Sequence, residues 1–249
     1  MKAVDLNCLV GHWPFRKLHK NTLEDIQNVH RANNIDGGYV ASLNSIFYND
    51  PFEGDEELHE ILKDADGYHH VLTINPKLLE FEEDIKEGIE RFGIKGVRIY
   101  PGYHGYSLDD KDLAELCRIL KENDLPLFLP LRMEDPRLNY IITPGTIAMD
   151  EVKGFLKSFP DNKIILLTAF VSELKQLEDE IKDHSYVKFD TSGLKDTLFS
   201  IENLTAVFPA EKIVYGSLYP LYTFRSTYFL IKHAEVSEKV KAKILSCSW

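Results

Sequence analysis

The sequence contains few cysteines, fewer basic than acidic residues, and no long apolar run. Its three cysteines, at positions 8, 117 and 247, are far apart and lack paired metal-ligand spacing, so we expect free thiols in a reducing, cytoplasmic environment. Lysine and arginine number 29 against 40 aspartates and glutamates, a formal net charge of −11, which disfavours nucleic acid and anionic membranes as partners. No run approaches the roughly 20 apolar residues of a membrane span. A small molecule is the expected partner.

What the sequence does contain is a regular alternation of short apolar segments with longer amphipathic ones. The predicted strands are 3–10, 37–43, 69–75, 95–100, 125–131, 163–168, 185–191 and 211–217. The predicted helices are 22–33, 55–66, 78–92, 109–123, 148–159, 171–183, 196–207 and 223–245, the last with a break near Glu235. Eight pairs of about 31 residues fit the length of one eight-stranded barrel. We therefore predict a single α/β domain over 1–249, a (β/α)8 TIM barrel.

A doubly wound open sheet is the competing fold, and it predicts a glycine-rich phosphate turn after the first strand. No such turn is present, because Gly11 is followed by His12, Trp13 and Pro14.

The predicted loops after the strands, such as 11–21 and 132–147, are longer than those before them, such as 34–36. In a TIM barrel the long loops meet at the carboxyl ends of the strands, where sites are built. Aromatic residues are concentrated in these loops: Trp13, Phe15, Phe47, Tyr48, Phe52, Tyr103, Tyr106, Tyr140, Tyr219 and Tyr222. They predict an aromatic-lined pocket. The alternative is that the rings cover the barrel mouth or form the interface of a homo-oligomer.

Four segments fall on the first, fourth, seventh and eighth predicted strands: 4–11 (VDLNCLVG), 94–101 (IKGVRIYP), 186–193 (YVKFDTSG) and 212–220 (KIVYGSLYP). Together they resemble the amidohydrolase-related branch of the metal-dependent hydrolase superfamily. The family motifs they resemble include Asp-x-His-x-His-x-Gly on the first strand, Gly-x-Arg-x-x-Pro on the fourth and Gly-Ser-Asp-x-Pro on the eighth. The resemblance implies an α/β barrel and an activity among hydrolases, lactonases and non-oxidative decarboxylases.

The resemblance also implies a metal centre, and here the sequence departs from the family. The family's ligands are two histidines on the first strand, one histidine at the end of each of the fifth and sixth strands, and an aspartate on the eighth. The matching positions here hold Asn7, Leu9, Pro130, Thr168 and Leu218. Because leucine and proline side chains cannot donate an electron pair to a metal, we expect no metal cofactor at the usual place.

A divalent metal such as zinc, held by other ligands, is the second interpretation. His12, His19 and His104 lie in the loops at the predicted functional end and would have to combine with Asp190.

Two arginines at the ends of neighbouring predicted strands are candidate catalytic or anchoring residues. Arg98 and Arg132 together suit a carboxylate, since a planar guanidinium binds a planar anion through paired hydrogen bonds. The alternative for Arg98 is a structural salt bridge with Asp190 or Asp5 across the lumen. The sequence leaves both interpretations open.

Asp190 is the candidate general base and Asn7 a candidate donor to a carbonyl oxygen. Both also have a purely structural alternative, as members of an internal hydrogen-bonded network. The candidate substrate-binding residues are Asp135, His12, Tyr103, His104, Ser217 and Tyr219, with Asp135 as a second group that handles protons.

These observations predict an amidohydrolase-like TIM barrel that acts as a hydrolase or decarboxylase on a small, carboxylated substrate without the family's metal centre. Two alternatives stay open. One is a non-catalytic relative that binds a ligand or serves as a partner subunit, and the other is a metal-dependent hydrolase with rearranged ligands.

Overall fold

Strands and helices alternate along the chain as predicted. The computed structural model describes residues 2–138 and 144–246, and two residues considered above, Tyr140 and Cys247, lie outside these ranges. The strands are β1 (Val4–Val10), β2 (Gly37–Ser42), β3 (Tyr68–His70), β4 (Leu72–Thr73), β5 (Val97–Arg98), β6 (Leu127–Pro130), β7 (Ile164–Leu167), β8 (Val187–Asp190) and β9 (Ile213–Val214). The helices are α1 (Leu23–Ala32), α2 (Pro51–Leu62), α3 (Phe81–Glu87), α4 (Pro101–His104), α5 (Asp112–Glu122), α6 (Met149–Ser158), α7 (Val171–Gln176), α8 (Glu178–Asp183), α9 (Ser200–Thr205), α10 (Phe224–Lys232) and α11 (Glu238–Leu245).

The strands are all parallel and close into a barrel. They pair in the orders β1-β2-β3 and β4-β5-β6-β7-β8-β9. The third barrel strand is made of β3 followed by β4, because Val71 N donates to Val40 O at 2.9 Å on one side and Leu72 N to Gly96 O at 3.0 Å on the other. The barrel closes where Leu6 N donates to Tyr215 O and Leu9 N to Tyr219 O, both at 2.9 Å. The predicted single-domain (β/α)8 fold is confirmed.

Alternate strand residues pack into two apolar layers, as the two-residue period of a strand requires. In β7, Ile165 and Leu167 belong to the cluster that fills the lumen, whereas Ile164 and Leu166 belong to the larger cluster between barrel and helices. Both faces of such a strand are buried, which is why these segments are apolar throughout.

Local side-chain chemistry fixes the helix ends. Thr22 Oγ1 accepts a hydrogen bond from Asp25 N, and Asp25 Oδ2 accepts one from Thr22 N, so the predicted capping box starts α1. The second helix begins at Pro51, earlier than the predicted residue 55, because Asp50 Oδ1 accepts from Phe52 N and proline favours the first helical position. The predicted break near Glu235 is confirmed between α10 and α11.

In the described part of the chain, no helix combines the length and the apolar character that crossing a membrane requires.

Candidate functional site

An irregularity in β1 turns Asn7 towards the barrel lumen. The pairing of β1 with β2 shifts register between Asp5 and Cys8. At this point the Asp5 carboxylate accepts hydrogen bonds from Asn7 N at 3.0 Å and from Ser217 N at 2.9 Å, so it satisfies two backbone groups beside the irregular pairing. Asn7 consequently faces the lumen, while Cys8 packs in the outer apolar cluster, as its neighbouring position predicts.

Asn7 links two of the predicted site residues. Its Oδ1 accepts from Arg98 Nη1 at 2.8 Å, and its Nδ2 donates to Asp190 Oδ2 at 2.7 Å. All three residues are buried. Because the arginine donates to one end of the amide and the carboxylate accepts from the other, the orientation of the Asn7 amide is fixed. We call Asn7, Arg98 and Asp190 the lumen network.

Asp190 is held by the strand ends around it. Its Oδ1 accepts from Thr168 N at 2.8 Å, Ser192 N at 3.2 Å and Ser192 Oγ at 2.9 Å. Burial raises the pKa of Asp190 to about 6, against hydrogen bonds that favour the carboxylate. Gly216 is required here, since a Cβ at that position would lie 2.4 Å from Asp190 Oδ2.

Arg98 is a buried cation that forms no ion pair with any carboxylate of the described residues. Besides Asn7, its guanidinium contacts Met133 Sδ at 3.5 Å and lies 5.3 Å from the centre of the Tyr100 ring. Its Nε has no hydrogen-bond partner within residues 2–138 and 144–246. The direct bridge to Asp190 or Asp5 is not formed, and Asn7 stands between Arg98 and Asp190 instead. A buried charge without a counter-charge is costly.

Arg132 is not part of the lumen network. Its Nη1 donates to Glu173 Oε2 at 2.9 Å and its Nη2 to Glu173 Oε1, and its guanidinium lies 3.8 Å from the centre of the Phe170 ring. The structure therefore gives Arg132 a carboxylate partner and leaves Arg98 without one.

A small cavity opens near the two arginines. It offers about 60 Å³ to water molecules, and Tyr100, Tyr103, Arg132 and Met133 are among its lining residues. Met133 contacts both this cavity and Arg98. The cavity is too small for a substrate of ordinary size.

The aromatic rings of the loops pack on one another at the mouth, which corresponds to the alternative to an aromatic-lined pocket. Trp13 packs edge-on against Phe15, Phe47 and Tyr103, with ring centres 5.3, 5.5 and 5.9 Å away. This places the predicted residue Tyr103 in an aromatic cluster beside the cavity.

A hydrogen-bonded connection, which we call the Glu134 latch, holds the first loop across the mouth. Trp13 Nε1 and Arg16 Nε donate to Glu134 Oε1 at 2.7 and 2.8 Å, and Arg16 Nη2 donates to Leu221 O at 2.6 Å. The latch thus joins the loops after β1, β6 and β9.

The other predicted site residues lie around this centre or away from it. Asp135 is paired with Arg137 and Lys195, and Arg137 holds the pKa of its carboxyl well below the ordinary value. The Ser217 Oγ accepts from Tyr219 N at 3.0 Å, and the Tyr219 ring packs in the outer cluster.

Neither candidate histidine joins the lumen network. His12 is exposed and lines a surface groove beside Thr22. His104 Nε2 lies 3.2 Å from Ile46 O, and burial lowers the pKa of His104.

Sequence reasoning missed Met133 and Glu134, in the loop after β6, and Glu173, in the first turn of α7, although a barrel brings these segments together. It also missed the backbone strain at Thr168 and Leu218, which have φ of 60° and 52°. Positive φ is unusual for residues with a Cβ, and such strain concentrates at functional sites.

The donor chemistry of the lumen does not fit a divalent metal. Leu9 and Leu218, at two positions where the family resemblance places ligands, belong to the apolar lumen cluster. Asp190, the carboxylate that contacts Asn7 in the lumen, already accepts hydrogen bonds at both oxygens. Within the described ranges, the one group of three potential ligand side chains is Asp5, Cys8 and His30, which lies on the other face of β1.

Comparisons with known proteins agree with this architecture. A family model described as Amidohydrolase matches residues 52–246. No curated protein sequence matches the chain significantly.

Several solved structures share the fold at low sequence identity. Dihydroxybenzoic acid decarboxylase from Polaromonas sp. JS666, with bound manganese and the inhibitor 2-nitroresorcinol, superimposes with a TM-score of 0.76 at 11% identity, covering 98% of this chain and 94% of that one. For 2,6-dihydroxybenzoate decarboxylase complexed with 2,6-dihydroxybenzoate, the TM-score is 0.72 at 12% identity, with 98% and 95% covered. For 5-carboxyvanillate decarboxylase from Sphingomonas paucimobilis it is 0.72 at 12% identity, with 98% and 96% covered.

Proposed function

Because this chain belongs to the amidohydrolase family, we propose that it is a hydrolase or decarboxylase of a small carboxylate substrate, working without a metal ion in the barrel lumen. The observation that carries this proposal is the unpaired cation of Arg98. A guanidinium buried to 1% exposure, with a free Nε and no carboxylate within ion-pair distance among the described residues, suits an anionic ligand.

The chemistry around Arg98 favours an aromatic acid. The rings of Tyr100 and Tyr103 line the cavity, and burial raises the pKa of Tyr100 to about 12, so its hydroxyl stays protonated and available as a donor. Small aromatic carboxylates are also what the structurally similar decarboxylases bind. Opening the Glu134 latch and moving Met133 would give such an acid room beside Arg98.

Asp190 is the group that handles the proton in this proposal. Its pKa of about 6 lies in the range where a carboxyl can both accept and release a proton near neutral pH. Oδ2, which accepts one hydrogen bond from Asn7, is the oxygen at which a proton is held, since Oδ1 accepts three. Asn7 orients this carboxyl relative to Arg98. Arg132, paired with Glu173, borders the cavity and shapes it.

A second candidate function is non-catalytic binding of the same class of acid. Two observations favour it: the cavity is small, and hydrogen bonds to both oxygens of Asp190 favour its unprotonated, structural form. Both candidates share the carboxylate site and differ in turnover.

The test measures binding and turnover separately. Calorimetric titration with 2,6-dihydroxybenzoate, benzoate and the neutral analogue benzamide should show binding of the acids, little binding of the amide, and at least tenfold weaker acid binding in Arg98→Met. Arg118→Met removes an exposed arginine of α5 and should bind as the wild type does. Equal affinity for benzoate and benzamide, or unchanged binding in Arg98→Met, contradicts the carboxylate site.

Turnover is then followed as release of CO₂ or hydrolysis product after exhaustive dialysis against a chelator. Persistent turnover that is lost in Asp190→Asn supports the enzyme. Binding without turnover supports the non-catalytic candidate, and turnover that needs added metal contradicts the metal-independent mechanism.

A further inference from the structure

Behind β1, on the face opposite the lumen network, three buried side chains converge. The potential ligand atoms of Asp5, Cys8 and His30 all lie within 4.8 Å of one another. His30 comes from the buried face of α1, and the other two residues come from β1. We call these three residues the seam cluster, because they lie beside the junction where β1 meets the last strand.

The distances within the seam cluster approach those of a tetrahedral metal site. His30 Nε2 lies 3.3 Å from Asp5 Oδ2 and 3.9 Å from Cys8 Sγ. With the usual zinc bond lengths, tetrahedral ligands are about 3.3 Å apart for nitrogen and oxygen and about 3.6 Å apart for nitrogen and sulfur. The two distances from His30 therefore differ from these values by no more than a few tenths of an ångström, and the third pair, Asp5 and Cys8, lies within 4.8 Å.

The charges also match a divalent ion. A thiolate, a carboxylate and a neutral imidazole together carry a charge of −2, so a bound divalent cation leaves the buried site neutral. Because the thiolate is the form of cysteine that binds a metal, binding displaces the Cys8 thiol proton to solvent.

Surrounding groups orient all the potential ligands. Asp5 Oδ1 is occupied by the backbone N–H groups of Asn7 and Ser217, which leaves Oδ2 facing His30. His30 Nδ1 lies 3.1 Å from the Tyr68 hydroxyl, an arrangement that lets Nδ1–H donate while Nε2 offers its lone pair. Gly38 packs directly against the cluster, where a Cβ would lie 2.8 Å from Cys8 Sγ.

We propose that Asp5, Cys8 and His30 form a binding site for a zinc-class divalent ion, with one coordination position left for water, which ties α1 to the closing strands of the barrel. This site is distinct from the family's metal position, because β1 separates it from the lumen. It does not depend on the carboxylate-binding proposal.

Cobalt is the probe for the test, since Co²⁺ bound by a thiolate has a near-ultraviolet charge-transfer band. The protein of residues 1–249 carries Cys117→Ala and Cys247→Ser, so that any thiolate band comes from Cys8. We expect one equivalent of Co²⁺ per chain, a thiolate band, and displacement by Zn²⁺. Tyr68→Phe should weaken binding about tenfold, because it removes the partner of His30 Nδ1.

Two variants separate the ligands from their surroundings. Cys8→Ala should lose the band, and His30→Gln should lose stoichiometric binding. Absence of the band in the protein that retains Cys8, at saturating cobalt, overturns the proposal without any ligand variant having to fold. A band that survives in folded Cys8→Ala overturns it as well. If the protein that retains Cys8 binds no cobalt but still binds carboxylates, the metal-site proposal fails and the carboxylate-binding proposal stands.

Discussion

The two faces of β1 carry two buried polar groups of residues that differ in charge. On the lumen side, Arg98 has a neutral amide, a thioether and an aromatic ring for neighbours and no carboxylate within ion-pair distance in the described chain. On the helix side, Asp5 has His30 at 3.3 Å and two backbone donors. The two sites are equally buried.

The lumen network and the seam cluster therefore do not differ in burial, but they do differ in charge. In the lumen network, Arg98 has no carboxylate within ion-pair distance in the described chain, so its guanidinium favours an anion from solution. The seam cluster has two acidic groups and one imidazole, so it favours a cation. The irregular pairing of β1 turns Asn7 into the lumen and leaves Asp5 and Cys8 together on the helix side, so each face of the strand has its own ligand chemistry.

The largest expected effect is on the lumen side. Asp190→Ala leaves Thr168 N, Ser192 N and Asn7 Nδ2 without their acceptor, and we expect it to lower the free energy of unfolding by about 3–5 kcal/mol. Urea denaturation measures this loss. Asp161→Ala removes an exposed carboxylate and should change stability by less than about 0.5 kcal/mol. A loss below about 1 kcal/mol for Asp190→Ala contradicts the proposed network.

The contributions of Asp190 and Asp5 to the free energy of unfolding should depend on pH in opposite directions. Burial raises the pKa of Asp190 from 3.8 to about 6, so the folded protein binds this proton more tightly than the unfolded chain does. The resulting contribution to stability is fully present below about pH 4 and is lost as the pH rises through 6, a change of up to about 3 kcal/mol. Subtracting the pH profile of Asp190→Asn from that of the wild type isolates it.

Asp5 is the matched comparison. Burial alone would raise its pKa, but the interactions with His30 together with the hydrogen bonds from Ser217 and Asn7 outweigh burial and lower it. Its contribution to stability is therefore present above its unfolded pKa and is lost as the pH falls. Profiles of Asp5→Asn and Asp190→Asn that differ from the wild type in the same direction would contradict this contrast.

Removing the unpaired cation should stabilise the protein. Arg98→Met replaces a buried guanidinium with an apolar side chain at the cost of the hydrogen bond to Asn7 Oδ1, and we expect the free energy of unfolding to rise by about 1–2 kcal/mol while carboxylate binding is lost. Arg118→Met, on the surface of α5, provides the control for both measurements. A destabilisation above about 2 kcal/mol would indicate that Arg98 has a structural role.

The sequence predicts the barrel well because each strand and helix has its own local pattern. It also brings Asn7, Arg98 and Asp190 together, since the carboxyl ends of parallel strands meet at one end of a barrel. It does not predict that Asn7 stands between the other two, because this depends on the irregular pairing of β1.

Contacts between distant elements explain the other omissions. The sequence analysis did not connect Cys8 with His30, because the two residues lie on different elements, β1 and α1. A signal was available in the sequence: Leu23, Ile26 and His30 are three and four residues apart and so share one face of the predicted helix, which the structure buries. The sequence predicts that Arg132 and Arg98 act together on one carboxylate. In the structure Arg132 pairs instead with Glu173, 41 residues further along the chain.

The smallest expected effect concerns the Glu134 latch, which belongs to the lumen side alone. Glu134→Gln keeps the shape of the side chain but removes the charge that Trp13 Nε1 and Arg16 share, so we expect a loss of about 1 kcal/mol. In a Trp249→Phe background, Trp13 is the single tryptophan and reports on the latch directly. Acrylamide should quench its fluorescence more efficiently in Glu134→Gln than in the parent, because an open latch exposes the indole. The same increase should appear when benzoate enters the parent protein. Quenching that neither the substitution nor the ligand changes would show that the mouth opens elsewhere.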